Sequence, residues 1–455
     1  MTRIAIVPTG AANIASLCAA IERIGAQPVW ANDADAIRSA PRLIMPGVGA
    51  FGAVMSRLSF ETRQALRQRV FRGAPTLGIC LGMQLFARDS EESPGVMGLN
   101  VWPDTVRRFP SSVCTPQMGW NRLQPSPDSR WIHPGSAYFA NTYYLPRCPS
   151  DWQPTWSRYG PLFLAAAEKD QVLLCQFHPE LSGPWGLDLL KRWCFNQPKG
   201  ETVSSPPRNT ARIIPCLDVR NGKVVKGIQF QDLRETGDPQ TLAATYARQG
   251  ADELVMLDVS ATPEGRATAA DTVRKVRAEV ALPLTVGGGV RTVEDAQRLL
   301  NSGADKVAIN SAAVDNPQTL SQLAERFGSQ CVVLSLDAAR TADGWEVVTH
   351  SGTRRTGLDA VAWAREATRR GAGEILLTSV DRDGTLSGYD TELLQAVRKV
   401  VSVPIIASGG ASTPEHFQQA IAAGARGLLA ASIFHDGVTT VASLKESLQQ
   451  GGNTP

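Results

Sequence analysis

One stretch of this chain occurs twice. Residues 288–311, GGVRTVEDAQRLLNSGADKVAINS, align with residues 409–432, GGASTPEHFQQAIAAGARGLLAAS, at an offset of 121, and Leu217-Asp218 answers Leu336-Asp337 at 119. A repeat of this kind constrains the fold, because what one copy forms the other must form beside it. Eight short apolar runs, near 212–217, 253–257, 283–286, 306–310, 331–336, 374–378, 404–407 and 426–430, alternate with helical stretches. Eight β/α units in about 245 residues fit a (β/α)8, or TIM, barrel assembled from two four-strand halves. Each functional feature of one half should then have a counterpart across the barrel axis.

A chain of 455 residues exceeds what one hydrophobic core usually serves, so a second domain is expected before the barrel. There, β-like runs at 3–7, 42–45, 76–79 and 171–177 alternate with helical patterns such as 53–70, which predicts an α/β sheet flanked by helices. The polar run 196–210, NQPKGETVSSPPRNT, reads as a linker. The predicted domains are therefore 1–195, a linker over 196–210, and a barrel over 211–455. With 46 basic against 43 acidic residues, a net charge of +3 gives no reason to expect nucleic acid or a membrane surface as partner. The N-terminus lacks a secretory pattern and no run suffices to cross a bilayer, so a cytoplasmic address is expected. The eight cysteines form no CxxC pair or zinc-spaced cluster, so neither a disulfide framework nor a metal is expected. No cofactor is indicated.

One cysteine has a different setting. In TLGICLGMQ, Cys80 lies between an apolar strand and a helical stretch, flanked by Gly78 and Gly82. A nucleophile on a sharp strand-to-helix turn needs small neighbours, and a helix N-terminus favours the thiolate. Near the end of another apolar run, QFHPE places His178 and Glu180 two residues apart. Strand alternation would turn both to one face, the imidazole as base toward the thiol and the carboxylate orienting it.

In the barrel half, Asp218 and Asp337 end the first and fifth apolar runs. Opposed carboxylates at a barrel mouth suit an acid/base pair. VGGGVR (286–291) and ASGGAS (407–412) each set glycines after a strand, where backbone N–H groups and the following helix N-terminus can hold a dianion. Asn310-Ser311 stands beside the first loop and Ala431-Ser432 beside the second. Two symmetric sites imply a substrate with a phosphate at each end.

Over roughly residues 1–197 the sequence resembles the class I glutamine amidotransferases. That resemblance implies a Cys80, His178, Glu180 triad acting on glutamine, with Pro46-Gly47-Val48-Gly49 presenting backbone donors from Gly47 and Gly49 to an oxyanion. MGWN (118–121) points to the histidine-pathway branch. RIIPCLDVRNGKVVKG, LDVSAT, VGGGVRTVEDA and TSVDRDGTLSGYD resemble the cyclase barrels of the imidazole glycerol phosphate synthase family, over nearly all of 211–447. The resemblance implies a bifunctional enzyme that hydrolyses glutamine and channels the ammonia to the barrel. There phosphoribulosyl-formimino-aminoimidazole carboxamide ribonucleotide would become imidazole glycerol phosphate and aminoimidazole carboxamide ribonucleotide. It makes Asp218 and Asp337 the acid/base residues, places Lys226 on a loop closing over substrate, and has Thr378 and Asp383 assist ring closure. Gly289 and Ser311, with Asn310 beside them, would hold one phosphate, and Gly384, Gly410, Ala431 and Ser432 the other. Arg212, Glu253, Lys306 and Glu374, at strand starts and three of them in parity with active-site residues, would form an ammonia gate.

Two positions depart from the family pattern. Pro8-Thr9-Gly10-Ala11-Ala12-Asn13 replaces an Asp-Tyr-Gly-x-Gly-Asn run, and Leu181 replaces a lysine that in two-subunit relatives can pair with an aspartate matching Asp305. The linker is expected to take over part of that docking. Three other readings compete: the isomerase one step earlier, which has no use for ammonia; a vitamin B6 synthase type, which needs Schiff-base lysines; and a decayed regulatory protein, which the intact site residues oppose.

Overall fold

In the computed structural model of the chain, all residues are described except 10–13, 48, 199–210, 229–230, 262–267, 269 and 452–455, and the side chains of 226–228, 231–233 and 451. The Lys226 side chain, Val48, Gly10 to Asn13 and most of the linker thus lie outside what is described. Two compact units result, Met1–Pro207 with Arg326–Gly328, and Arg208–Glu325 with Ser329–Pro455.

The second unit is the closed barrel. Strands Arg212–Arg220, Leu254–Asp258, Leu284–Gly287, Lys306–Ile309, Val332–Arg340, Glu374–Ser379, Ile405–Ser408 and Gly427–Ala430 pair in parallel in that order, and the last pairs with the first. Alternate residues of each strand share a face, so Arg212, Ile214, Cys216 and Asp218 succeed one another along the first strand. The second of these layers is apolar: Ile214, Val255, Ala308, Val333, Leu376 and Ile406 pack in one buried cluster. Charge at the strand starts and polarity at the strand ends are thereby kept apart. The repeat persists in local detail. Helices Val293–Asn301 and Pro414–Ala422 both open with a capping box, Thr292 with Asp295 and Thr413 with His416. Beyond Asp218 and Asp337, the first and fifth strands run on into antiparallel hairpins, Lys223–Ile228 with Gln231–Gly237 and Trp345–Thr349 with Arg354–Asp359. The aspartates are therefore inside their strands rather than at the ends.

The first unit is built on a nine-stranded sheet in the order Gln27–Trp30, Arg3–Ile6, Leu43–Met45, Thr76–Ile79, Val172–Cys175, Leu162–Lys169, Gln153–Arg158, Gln117–Pro125, Gly135–Asn141. The first five strands are parallel and the remainder antiparallel. Alternation feeds two cores, one on each face: Ile4 and Ile6 join one, Ala5 and Val7 the other. The helical stretch expected over 53–70 is two helices, Phe51–Arg57 and Phe60–Phe71, parted where the Ser59 hydroxyl accepts from the Thr62 amide at 3.2 Å. None of the eight cysteines is in a disulfide. Among the described residues no helix is long and apolar enough to cross a membrane.

Candidate active sites

Cys80 stands between strand Thr76–Ile79 and the short helix Leu81–Gln84, with φ 52° and ψ −111°. Few side-chain-bearing residues adopt a positive φ, and a sharp turn that aims a nucleophile outward is one place where it recurs. The turn is tightly enclosed. A Cβ on Gly47 would lie 1.7 Å from the Ile79 carbonyl oxygen, and one on Gly82 would lie 2.1 Å from that of Met45. Gly49, two residues on from Gly47, has φ 114°.

His178 and Glu180 meet, but not by strand alternation. The strand ends at Cys175, and Pro179 opens a 3-10 turn over Pro179–Leu181. This turn brings His178 Nδ1 to 2.8 Å from Glu180 Oε1, and both side chains are buried. Burial alone would lower the imidazole pKa. The Cys80 sulfur and the Glu180 carboxylate, by charge and hydrogen bonding, more than offset this and lift it well above its ordinary value. A second contact to the thiol was missed in the sequence. Gln176 Nε2 donates to Cys80 Sγ at 3.4 Å, and Gln84 Nε2 donates to Gln176 Oε1 at 2.9 Å. The presence of both glutamines in the motifs that carry the nucleophile and base was the available signal.

In the barrel, a cavity of about 580 Å3 is lined by Asp218, Gly289, Asn310, Ser311, Asp337, Thr378, Asp383, Gly384, Gly410, Ala431 and Ser432. Asn310 Nδ2 donates to Asp337 Oδ2 at 2.9 Å, and the Cys216 thiol to Asp218 Oδ1 at 3.4 Å. Burial, then the charge of Asp383, pushes the Asp337 carboxyl up to about 7, against hydrogen bonds from Thr378 and Asn310. The glycine pairs are symmetric: φ is 88° and 72° at Gly288 and Gly289, 93° and 92° at Gly409 and Gly410. The helices that follow these loops open with capping boxes, whereas the short helices Ser311–Asp315 and Ser432–His435 start at Asn310 and Ala431, which make no side-chain cap bond.

At the strand starts the four expected charges close into a ring. Arg212 Nη1 lies 2.5 Å from Glu253 Oε2, Lys306 Nζ lies 2.5 Å from Glu253 Oε1 and 2.6 Å from Glu374 Oε2, and Arg212 also pairs with Glu374. All four are buried. Two cations and two anions alternate, so every charge has two opposite neighbours. The burial penalty on Glu374 is overcome by Arg212 and Lys306, which hold its carboxyl below the usual range. Gly427 gives the guanidinium room, since a Cβ there would lie 3.3 Å from Arg212 Nη2. Asp305, expected to lack its partner where Leu181 replaces lysine, is instead buried in an ion pair with Arg277 and accepts the Leu284 amide at 2.8 Å.

The chain thus joins a buried cluster of Cys80, His178 and Glu180 to a closed barrel of eight parallel strands. The family model for glutamine amidotransferase class-I matches residues 7–196 and that for histidine biosynthesis protein matches residues 212–440. The imidazole glycerol phosphate synthase subunit HisF of Corynebacterium urealyticum is 58% identical over 244 residues, 53% of this chain and 96% of that protein. The HisF subunits of Micrococcus luteus and Nocardia farcinica are 57% and 55% identical over 249 and 245 residues, covering 97% and 95% of those proteins and 53% and 52% of this one. The chain belongs to the imidazole glycerol phosphate synthase family of histidine biosynthesis, with glutaminase and cyclase domains in one polypeptide.

Proposed function

We propose that the Cys80 thiolate attacks the carboxamide carbon of glutamine while His178 carries the proton from the thiol to the departing ammonia. Glu180 holds the imidazole in the tautomer this requires, and backbone donors at Gly47 and Gly49 receive the oxyanion. Water then hydrolyses the thioester to glutamate. Ammonia passes the ring of Arg212, Glu253, Lys306 and Glu374 and the apolar layer above it. An apolar path keeps it unprotonated, since desolvation disfavours ammonium.

In the barrel the two phosphates of phosphoribulosyl-formimino-aminoimidazole carboxamide ribonucleotide are held by the twin glycine loops with Ser311 and Ser432, and Lys226 covers the substrate. Ammonia condenses with the ketone carbon of the substrate's ribulosyl arm with loss of water, and ring closure with carbon–nitrogen cleavage, a lyase step, releases the two products. Asp337 retains a proton to about neutral pH, which suits it to donate, and Asp218 accepts from the opposite side. Residues 1–195 form the glutaminase, 196–210 the tether and 211–455 the cyclase. Both substrates are small molecules, and a cytoplasmic address is part of this proposal.

The observation that carries this reading is the pairing of His178 with Glu180 beside Cys80 in a chain whose barrel cavity gathers both aspartates. Incubation with glutamine and the barrel substrate should release glutamate and imidazole glycerol phosphate in equal amounts. Glutamate without product, or no turnover of either, would sink it.

A further inference from the structure

The hydrogen bonds around the nucleophile fix the direction of an amide the mechanism above does not use. Gln84 Nε2 donates both to the Tyr143 carbonyl oxygen and to Gln176 Oε1, each at 2.9 Å. The Gln84 amide group thus spends its protons on two acceptors, and Gln176 must offer its oxygen to it. The Gln176 NH2 is left to point at Cys80 Sγ, 3.4 Å away. Amide orientation is assigned by such accounting, and here both ends of the chain agree. Gln176 is fully buried and Gln84 nearly so, so neither amide can exchange its partner for bulk water at no cost.

We infer that Gln176 is a catalytic residue of the glutaminase, donating a hydrogen bond to the Cys80 sulfur that favours thiolate over thiol, with Gln84 as the positioning residue that keeps the NH2 turned toward it. The inference rests on Cys80 being the nucleophile. A sulfur anion gains more from a donor than a neutral thiol does, because charge-assisted hydrogen bonds are the stronger ones. His178 supplies the cation on one side and Gln176 a neutral donor on the other. The neutral donor stabilises the thiolate without competing for its proton.

The test is the pH dependence of Cys80 alkylation by iodoacetamide in the full chain, read by mass spectrometry. Gln176→Met keeps the bulk and loses the donor, and the alkylation midpoint should rise by about one pH unit, a roughly tenfold slower reaction below the midpoint. Gln176→Glu, which sets a carboxylate against the sulfur, should raise it further. Gln84→Met, with Gln176 intact but free to flip, should move it in the same direction by less. Circular dichroism and thermal unfolding matched to those of the native chain control for folding of the unit that carries Cys80. Should Gln176→Met fail to fold, the other two variants decide. An unchanged midpoint in folded variants overturns the inference while leaving Cys80 as nucleophile. If Cys80→Ala retains glutamine hydrolysis, the underlying reading fails instead.

Discussion

Asn310, just past the fourth strand, and Asp337 on the fifth are joined by a 2.9 Å hydrogen bond from the amide Nδ2 to the carboxylate Oδ2. This bond favours the ionised carboxylate, yet burial and the Asp383 charge outweigh it and hold the carboxyl at about 7. A group whose pKa is higher folded than unfolded contributes stability that is fully present below the unfolded value. That contribution is lost as pH rises through the folded value.

The pH window follows from 3.8 and about 7. Between pH 5 and pH 8.5 the native protein should lose roughly 3 kcal/mol that Asp337→Asn does not lose. Denaturant unfolding of the barrel at both pH values checks this, and a constant difference between the two proteins would refute it. The same variant should form no imidazole glycerol phosphate from glutamine or from ammonium salts. In Asp383→Asn, which removes a charge that raises the pKa, the pH–rate limb near neutrality should move to lower pH.

Cys80→Ala should abolish glutamine-dependent synthesis and leave synthesis from ammonium salts at alkaline pH, because the cyclase residues lie in the other unit. Loss of both activities in folded protein would contradict the two-site scheme.

Lys306→Ala should uncouple the two reactions. It removes one of the two cations that Glu253 and Glu374 share, leaving buried carboxylates that cost about 3–5 kcal/mol when a partner is lost. Glutamate should then be released in excess of product. A one-to-one ratio retained in this variant would count against the gate.

Asp305 and Arg277 supply the remaining prediction. Because Arg277 already holds Asp305, cutting the linker at an inserted protease site should make glutamine-dependent synthesis fall on dilution, and Leu181→Lys should not restore it. Asp305→Ala should destabilise the barrel by about 3–5 kcal/mol whether or not the linker is cut. Rescue by Leu181→Lys would return Asp305 to the docking role.

The barrel was legible because its information is local and repeated: eight apolar runs, two glycine loops and charges at strand starts each occupy a few consecutive residues. Strand parity set Arg212, Lys306 and Glu374 on the side of their strands' active-site residues, the family resemblance added Glu253, and the folded chain closes the four into a ring. What escaped depended on contacts distant in the chain or on a local break in regularity. The 3-10 turn at Pro179 replaced the strand expected through His178. The hairpins after Asp218 and Asp337 carry the pairing past the points where the first and fifth apolar runs end. Arg277 reaches Asp305 from 28 residues away, and no spacing rule links the two. The glutamines at 84 and 176 lay in plain view, but only the folded chain brings them to one sulfur.

The backbone at Cys80 has a further consequence. A positive φ with strongly negative ψ suits glycine far better than any other residue, and holding a side chain there costs on the order of 1–3 kcal/mol. Cys80→Gly would therefore yield a more stable protein with no glutaminase. Random substitution at this codon has an outcome the fold would welcome, so stability alone would erase the nucleophile. On the glutaminase role proposed for Cys80, selection for nitrogen drawn from glutamine is what keeps a cysteine there.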